Sequence, residues 1–177
     1  RGPRDSVVTL EVIPSGAADE TITKAIAIKR DQVKLEEQSA SKKVIELDRN
    51  GQSYKVGAIT IPTFYADFQA MQAGDRNYKS TTRDVRRLLE ELQAEGVEGL
   101  VIDLRNNGGG ALHEANDLVG LFIDSGPTVQ IRNANNDVQI LNDEDPDVAF
   151  KGPMVVLVNR MSASAPEIFA GAIQDYG

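Results

Sequence analysis

Two segments of the chain share one layout, and that layout restricts the fold more than any other feature. Gly99-Leu100-Val101-Ile102-Asp103-Leu104 and Pro153-Met154-Val155-Val156-Leu157-Val158 are short runs, apolar on both faces. Each passes through a turn of small and polar residues straight into a helix-like pattern. Strands of this kind are buried on both sides, the habit of parallel sheets with helices packed over them. From Tyr54 onward the order reads strand, helix, strand, helix, hairpin, strand, helix. The expected class is therefore α/β, a mainly parallel sheet with covering helices. Ligands bind such sheets outside the carboxyl ends of the strands. Two loops leave those ends, Arg105 to Gly110 and Asn159 to Ser164, and they form the candidate site.

The remaining pattern fills in around this frame. A helix is predicted after Ser80-Thr81-Thr82, with Val85, Leu88, Leu89 and Leu92 on one stripe and Gly96 past its end. A second carries Leu112, Ala115, Leu118, Val119 and Phe122, and a third runs from Ser164 to Tyr176. Asn50-Gly51 is the strongest hairpin signal, joining Val44–Leu47 to Tyr54–Ile61. Val129–Ile131 and Val138–Ile140 flank a second candidate hairpin at Asn133 to Asn136. Upstream, Val7–Ile13, Thr21–Ile28 and Gln32–Glu36 read as strands, and the polar stretch Glu37–Lys43 reads as a linker. Residues 1–30 are then the last strands of a small β domain, 31–53 the linker and hairpin, and 54–177 the α/β core. The chain opens without methionine and closes just after a helical pattern, so it is expected to be a piece of a larger protein.

Composition removes several function classes. A formal charge of −8 opposes binding to nucleic acid. The absence of cysteine excludes disulfides and thiolate zinc sites, and the single histidine, His113, excludes a multi-histidine metal centre. The acidic stretch Asp143-Glu144-Asp145 lacks calcium-loop spacing and reads as a solvated face. No cofactor or metal is expected.

The two loops carry the chemistry. A serine at a strand-to-helix junction lies where free N–H groups and the helix dipole favour developing negative charge. Ser164 is such a serine, with small neighbours Ala163 and Ala165. Pro166 brings no competing N–H and leaves that of Ala165 available as an oxyanion donor. Ser164-x-x-Glu167 is equally a capping box, which would make the serine only a helix cap. Gly108-Gly109-Gly110 permits positive φ and close approach of an anion or carbonyl oxygen, or else serves a tight turn. His113 could be imagined as a base for Ser164, but it belongs to a different helix.

Three motifs in order resemble one family. They are Val101-Ile102-Asp103-Leu104-Arg105-Asn106-Asn107-Gly108-Gly109-Gly110-Ala111-Leu112, then Lys151 to Val158, then Ser162-Ala163-Ser164-Ala165 with Glu167-Ile168-Phe169. They look like the tail-specific proteases, the C-terminal processing serine peptidases of bacterial periplasms. The segment before the linker is similar to the closing strands of the PDZ domain that precedes the protease core in that family. The resemblance implies a crotonase-like or ClpP-like core and a Ser–Lys dyad. It also implies a periplasmic location and protein or peptide substrates with non-polar C-termini, membrane-associated ones among them. By position the nucleophile is Ser164 rather than Ser162. The oxyanion donors are the N–H of Ala165 and of Gly109 or Gly110. Glu167 and Asp175 match further positions the family relies on, and Pro166 stands where a third serine is usual. The family's lysine base follows the serine, whereas the last lysine here, Lys151, precedes it. The chain as given is therefore expected to be inert although its parent is a protease. Two alternatives stand beside this reading: a scaffold that holds peptide tails without cutting, and a crotonase-like acyl-CoA enzyme.

Overall fold

Two β-prone runs, Val44–Leu47 and Tyr54–Ile61, joined by Asn50 and Gly51 at φ 53° and 78°, turn the region before Ile61 into a long antiparallel hairpin. Its strands are β3 (Ser41–Arg49) and β4 (Gln52–Thr60). The computed structural model describes residues 2–19, 21–31 and 38–177. Strands β5 (Gly99–Asp103) and β8 (Met154–Leu157) extend this hairpin into a four-stranded sheet of order β3-β4-β5-β8. β4, β5 and β8 run parallel, so two of the three pairings are parallel. A separate hairpin joins β6 (Gly126–Arg132) and β7 (Val138–Asp143).

Four helices complete the α/β part: α1 (Phe68–Gln72), α2 (Thr81–Ala94), α3 (Leu112–Val119) and α4 (Ala165–Tyr176). The α2 stripe Val85, Leu88, Leu89 and Leu92 is buried as its spacing predicts. Leu92 lies so near β4 that a side chain at Gly57 would stand 2.8 Å from its Cδ1. Leu100, Ile102 and Leu104 face the same way and join Leu118 and Phe169 in one core. The opposite face is less covered: Val101 is half-buried and Val155 is 57% exposed. The helix over residues 112–119 ends before Phe122, which packs edge-on against Phe169 with ring centres 5.7 Å apart.

The chain divides into two compact units, Arg1–Lys34 and Leu35–Gly177. In the first, β1 (Val7–Val12) and β2 (Lys24–Lys29) form an antiparallel pair. The predicted strand Gln32–Glu36 lies outside the described residues. The end of the expected linker is strand, since β3 already begins at Ser41. A half-buried position there is occupied by Lys42, whose ammonium reaches Glu91 on α2 and Glu95 just past its end. A lysine that lays its stem along a helix and keeps its charge in water can do the work of an apolar strand residue.

Candidate active site

The loops after β5 and β8 are bound to each other. Leu104 donates its N–H to Leu157 O at 2.9 Å, continuing the parallel pairing past the strand ends. Ser162 Oγ donates to Leu104 O at 2.8 Å, and Ala163 N–H to Asn107 O at 3.1 Å. Asn106 and Asn159 face one another, with Asn106 N–H donating to Asn159 Oδ1 at 3.1 Å and Asn159 Nδ2 to Asn106 Oδ1 at 3.0 Å. The small and polar composition of both loops thus serves a cross-linked edge.

Ser164 heads α4 in an unusual backbone state, φ 64° and ψ −114°. The protein offers its own comparison in Ser80, which caps α2 at φ −151° and ψ 162° with its Oγ accepting from Arg83 N–H. Extended φ/ψ of that kind is what helix capping asks for. Ser164 and Glu167 do form a capping box. Ser164 N–H donates to Glu167 Oε2 at 2.6 Å, while Glu167 N–H donates to the Ser164 carbonyl at 2.9 Å. The Ser164 hydroxyl faces the Glu167 N–H in this box without a full cap hydrogen bond, the residue is exposed, and a cap does not require its backbone state. Capping alone therefore does not account for its conformation. A non-glycine residue held at such φ/ψ carries about 1–3 kcal/mol of strain, a state that clusters at functional sites.

The glycine loop closes on this serine. Gly109 is at φ 110°, and a Cβ there would lie 3.0 Å from Ser164 Cβ and 3.4 Å from its Oγ. Gly110 is at φ 149°, and a Cβ there would fall 2.0 Å from Phe64 O. Neither position tolerates a side chain. The N–H of Gly109 donates to Asn107 Oδ1 at 2.9 Å, whereas that of Gly110 has no partner among the described residues. At the head of α4, Ala165 N–H has no intrahelical acceptor, and Pro166 behind it has no N–H at all.

The chain that carries this serine and glycine loop has counterparts among known proteins. Residues 55–177 match peptidase family S41. The chain belongs to this family. It is 39% identical over 176 residues to a tail-specific protease of Haemophilus influenzae, covering 99% of this chain and 22% of that protein. It is 30% identical over 175 residues to a carboxyl-terminal-processing protease of a Synechocystis species, covering 99% of this chain and 36% of that one. Among solved structures, the photosystem II D1 C-terminal processing protease superposes with a TM-score of 0.68 at 28% identity, over 99% of this chain and 42% of its own. The chain thus spans roughly a fifth to a third of the length of these curated relatives.

Within this S41 core, the remaining candidates separate. Glu167 sits at the serine, whereas Asp175 lies eleven residues along α4, about 16 Å away at the rise of an α-helix. There it borders a groove with Pro127, Thr128, Gln130 and Tyr176. Lys151 lines a cavity with Phe122, Asp124 and Tyr176, again at the far end of α4. His113 turns edge-on to Phe68 with 5.5 Å between ring centres, and its Nε2 lies 3.4 Å from Glu114 Oε1. No hydrogen bond among the described residues joins it to Ser164. At the β5 end, Arg105 forks onto Asp103 with Nε–Oδ1 at 2.9 Å and Nη2–Oδ2 at 2.6 Å, holding that carboxyl below the usual range. No group of three or more histidine, aspartate or glutamate residues suited to a metal occurs among the described residues. Thr63 and Asn107, which grip the glycine loop, escaped sequence reasoning. Only the abundance of asparagine in that loop hinted at the second.

Proposed function

We propose that this chain supplies the nucleophile and the oxyanion hole of a serine peptidase that acts on proteins through their non-polar C-terminal tails. The observation that carries the reading is Ser164 at φ 64° beside Gly109, at the head of α4. Its Oγ attacks the scissile carbonyl carbon and the carbonyl oxygen becomes an oxyanion. Donors aimed at that oxygen supply much of the rate in acyl transfer. Ser164 N–H is engaged by Glu167, so the donor on the serine side is the next N–H, that of Ala165. On the other side Gly110 is preferred to Gly109, whose N–H is already taken by Asn107. Glu167 holds the serine backbone, and Asp175 takes no part in the chemistry.

The base is a lysine supplied by the parent protein beyond these residues, since Lys151 stands at the wrong end of α4. Such a lysine works when burial lowers its pKa enough for it to accept the serine proton. The residues before the core belong to a tail-engaging PDZ domain, and the parent works in the periplasm. A tail-holding scaffold would have no use for a strained serine. The test is turnover of a peptide with an apolar C-terminus. The full-length parent should cleave it, and Ser164→Ala should lower kcat by about 10⁴-fold or more. The 177-residue chain alone should be inert. An S164A parent as active as wild type would overturn the nucleophile, and Ser164-dependent cleavage by the short chain would overturn the external base.

A further inference from the structure

Three successive glycines form the part of the backbone most prone to peptide flips, yet an oxyanion hole needs one N–H held in one direction. The question is what stops Gly109 and Gly110 from turning. Gly109 is gripped at both of its peptide groups. On one side its N–H donates to Asn107 Oδ1 at 2.9 Å. On the other its carbonyl oxygen accepts from Thr63 Oγ1 at 2.8 Å and from Phe64 N–H at 3.0 Å. In a trans peptide the N–H points opposite to the C=O. With the Gly109 oxygen fixed toward Thr63 and Phe64, the Gly110 N–H is driven to the opposite side, away from that segment.

Asn107 is built for this task. Its side chain is fully buried, and its Nδ2 donates to Ile61 O at 2.8 Å while its Oδ1 receives Gly109. Its main chain donates to Leu104 O at 3.2 Å and accepts from Ala163 N–H at 3.1 Å. One residue therefore touches the ends of β4 and β5, the glycine loop and the serine loop. Only a short primary amide offers both donor and acceptor at that reach. Aspartate would set a charge against the Ile61 carbonyl, and leucine would leave both partners unpaired in the interior.

We propose that Asn107 and Thr63 are positioning residues that clamp Gly109 from its two sides and thereby aim the Gly110 N–H at the oxyanion. The inference rests on Ser164 being the nucleophile. Asn107 is fully buried and Thr63 spends its hydroxyl on the Gly109 carbonyl, so their removal should be felt in the transition state and not in binding.

The experiment uses the full-length parent with the variants Asn107→Ala, Thr63→Val and Thr63→Ser. It measures kcat and KM on an apolar-tailed peptide, and the affinities of a matched peptide aldehyde and peptide alcohol. The aldehyde forms a tetrahedral adduct that needs the oxyanion hole, whereas the alcohol reports ground-state binding. The expected kcat losses are about 10-fold for T63V and up to about 100-fold for N107A, below the effect of deleting a donor outright. KM and alcohol affinity should stay within twofold, aldehyde affinity should fall in step with kcat, and T63S should restore wild-type values. Should N107A not fold, the T63V and T63S pair decides, because Phe64 N–H still holds the loop. Wild-type kcat and aldehyde affinity in T63V and N107A, or equal weakening of aldehyde and alcohol, overturns the clamp while leaving the nucleophile in place. A parent whose activity is indifferent to Ser164→Ala overturns the functional reading and the clamp with it.

Discussion

Gly108 and Gly110 look alike in the sequence and differ sharply in the structure. A Cβ at Gly108 would meet nothing within 4 Å, whereas one at Gly110 would lie 2.0 Å from a main-chain oxygen. That oxygen belongs to Phe64 and accepts the Ala111 N–H at 2.9 Å, so it cannot retreat without breaking a backbone hydrogen bond. Gly108→Ala should change stability by less than about 0.5–1 kcal/mol. Gly110→Ala should destabilise by about 1–3 kcal/mol or more, through the strained φ and the displaced backbone together. Urea unfolding of the two variants beside wild type measures this, and equal midpoints would refute the assignment. In the sequence the triple glycine was compatible with a close approach or with a tight turn, and nothing there assigned its members their roles. Likewise Ser164-x-x-Glu167 matches a helix-start motif better than Ser80 does, although Ser80 is the ordinary cap. A motif records which atoms are present, whereas the distinguishing quantity is a backbone torsion fixed by tertiary contacts.

The elements were legible where periodicity carries them. The α2 stripe, the Asn50-Gly51 hairpin and the two apolar strands all follow from spacing. The segment between Pro62 and Lys79 was not, because it is held by specific hydrogen bonds. Asp67 caps α1 by accepting from Gln69 and Ala70 N–H, and Phe64 pairs with Gly110. Tyr65 ties this segment to two others: its hydroxyl donates to Asp84 Oδ2 on α2 at 2.5 Å and accepts from Ala40 N–H at 3.0 Å. Burial, then the hydrogen bond to the Asp84 carboxylate, pushes its pKa well above the ordinary tyrosine value. The unfolded tyrosine titrates near about 10, so the protonated hydroxyl contributes its full stability below that pH. The contribution is lost as pH climbs from there toward the raised folded value. Tyr65→Phe should cost about 1–3 kcal/mol at pH 7 by leaving Asp84 and the Ala40 N–H short of a partner. It should also flatten the alkaline fall in stability above pH 10. Denaturant unfolding of wild type and Y65F across pH 7 to 11 checks both parts, and parallel curves would contradict the second.

At the scale of the whole molecule, the mainly parallel sheet was readable because doubly apolar strands have few other solutions. Which face of the sheet gathers the helices was not, because a strand apolar on both faces does not say which face packs first. The two units also differ in how they are stabilised. Every residue of the buried core among those described lies at Ala40 or beyond. The first unit instead presents a two-stranded sheet in which Val7, Leu10, Ile26 and Ile28 remain exposed. A two-stranded sheet without a covered apolar face is marginal in water, whereas strands β4 and β5 belong to a continuous core. Local opening should therefore be far easier in β1 and β2 than in β4 and β5. In the 177-residue chain, hydrogen exchange at neutral pH should show peptides from Val7–Val12 and Lys24–Lys29 labelling within the earliest time points. Peptides covering Val56–Thr60 and Gly99–Asp103 should stay protected until global unfolding. If β1 and β2 exchange as slowly as β5, the first unit has a stabilising contribution beyond its own pair of strands, and this division of stability is wrong.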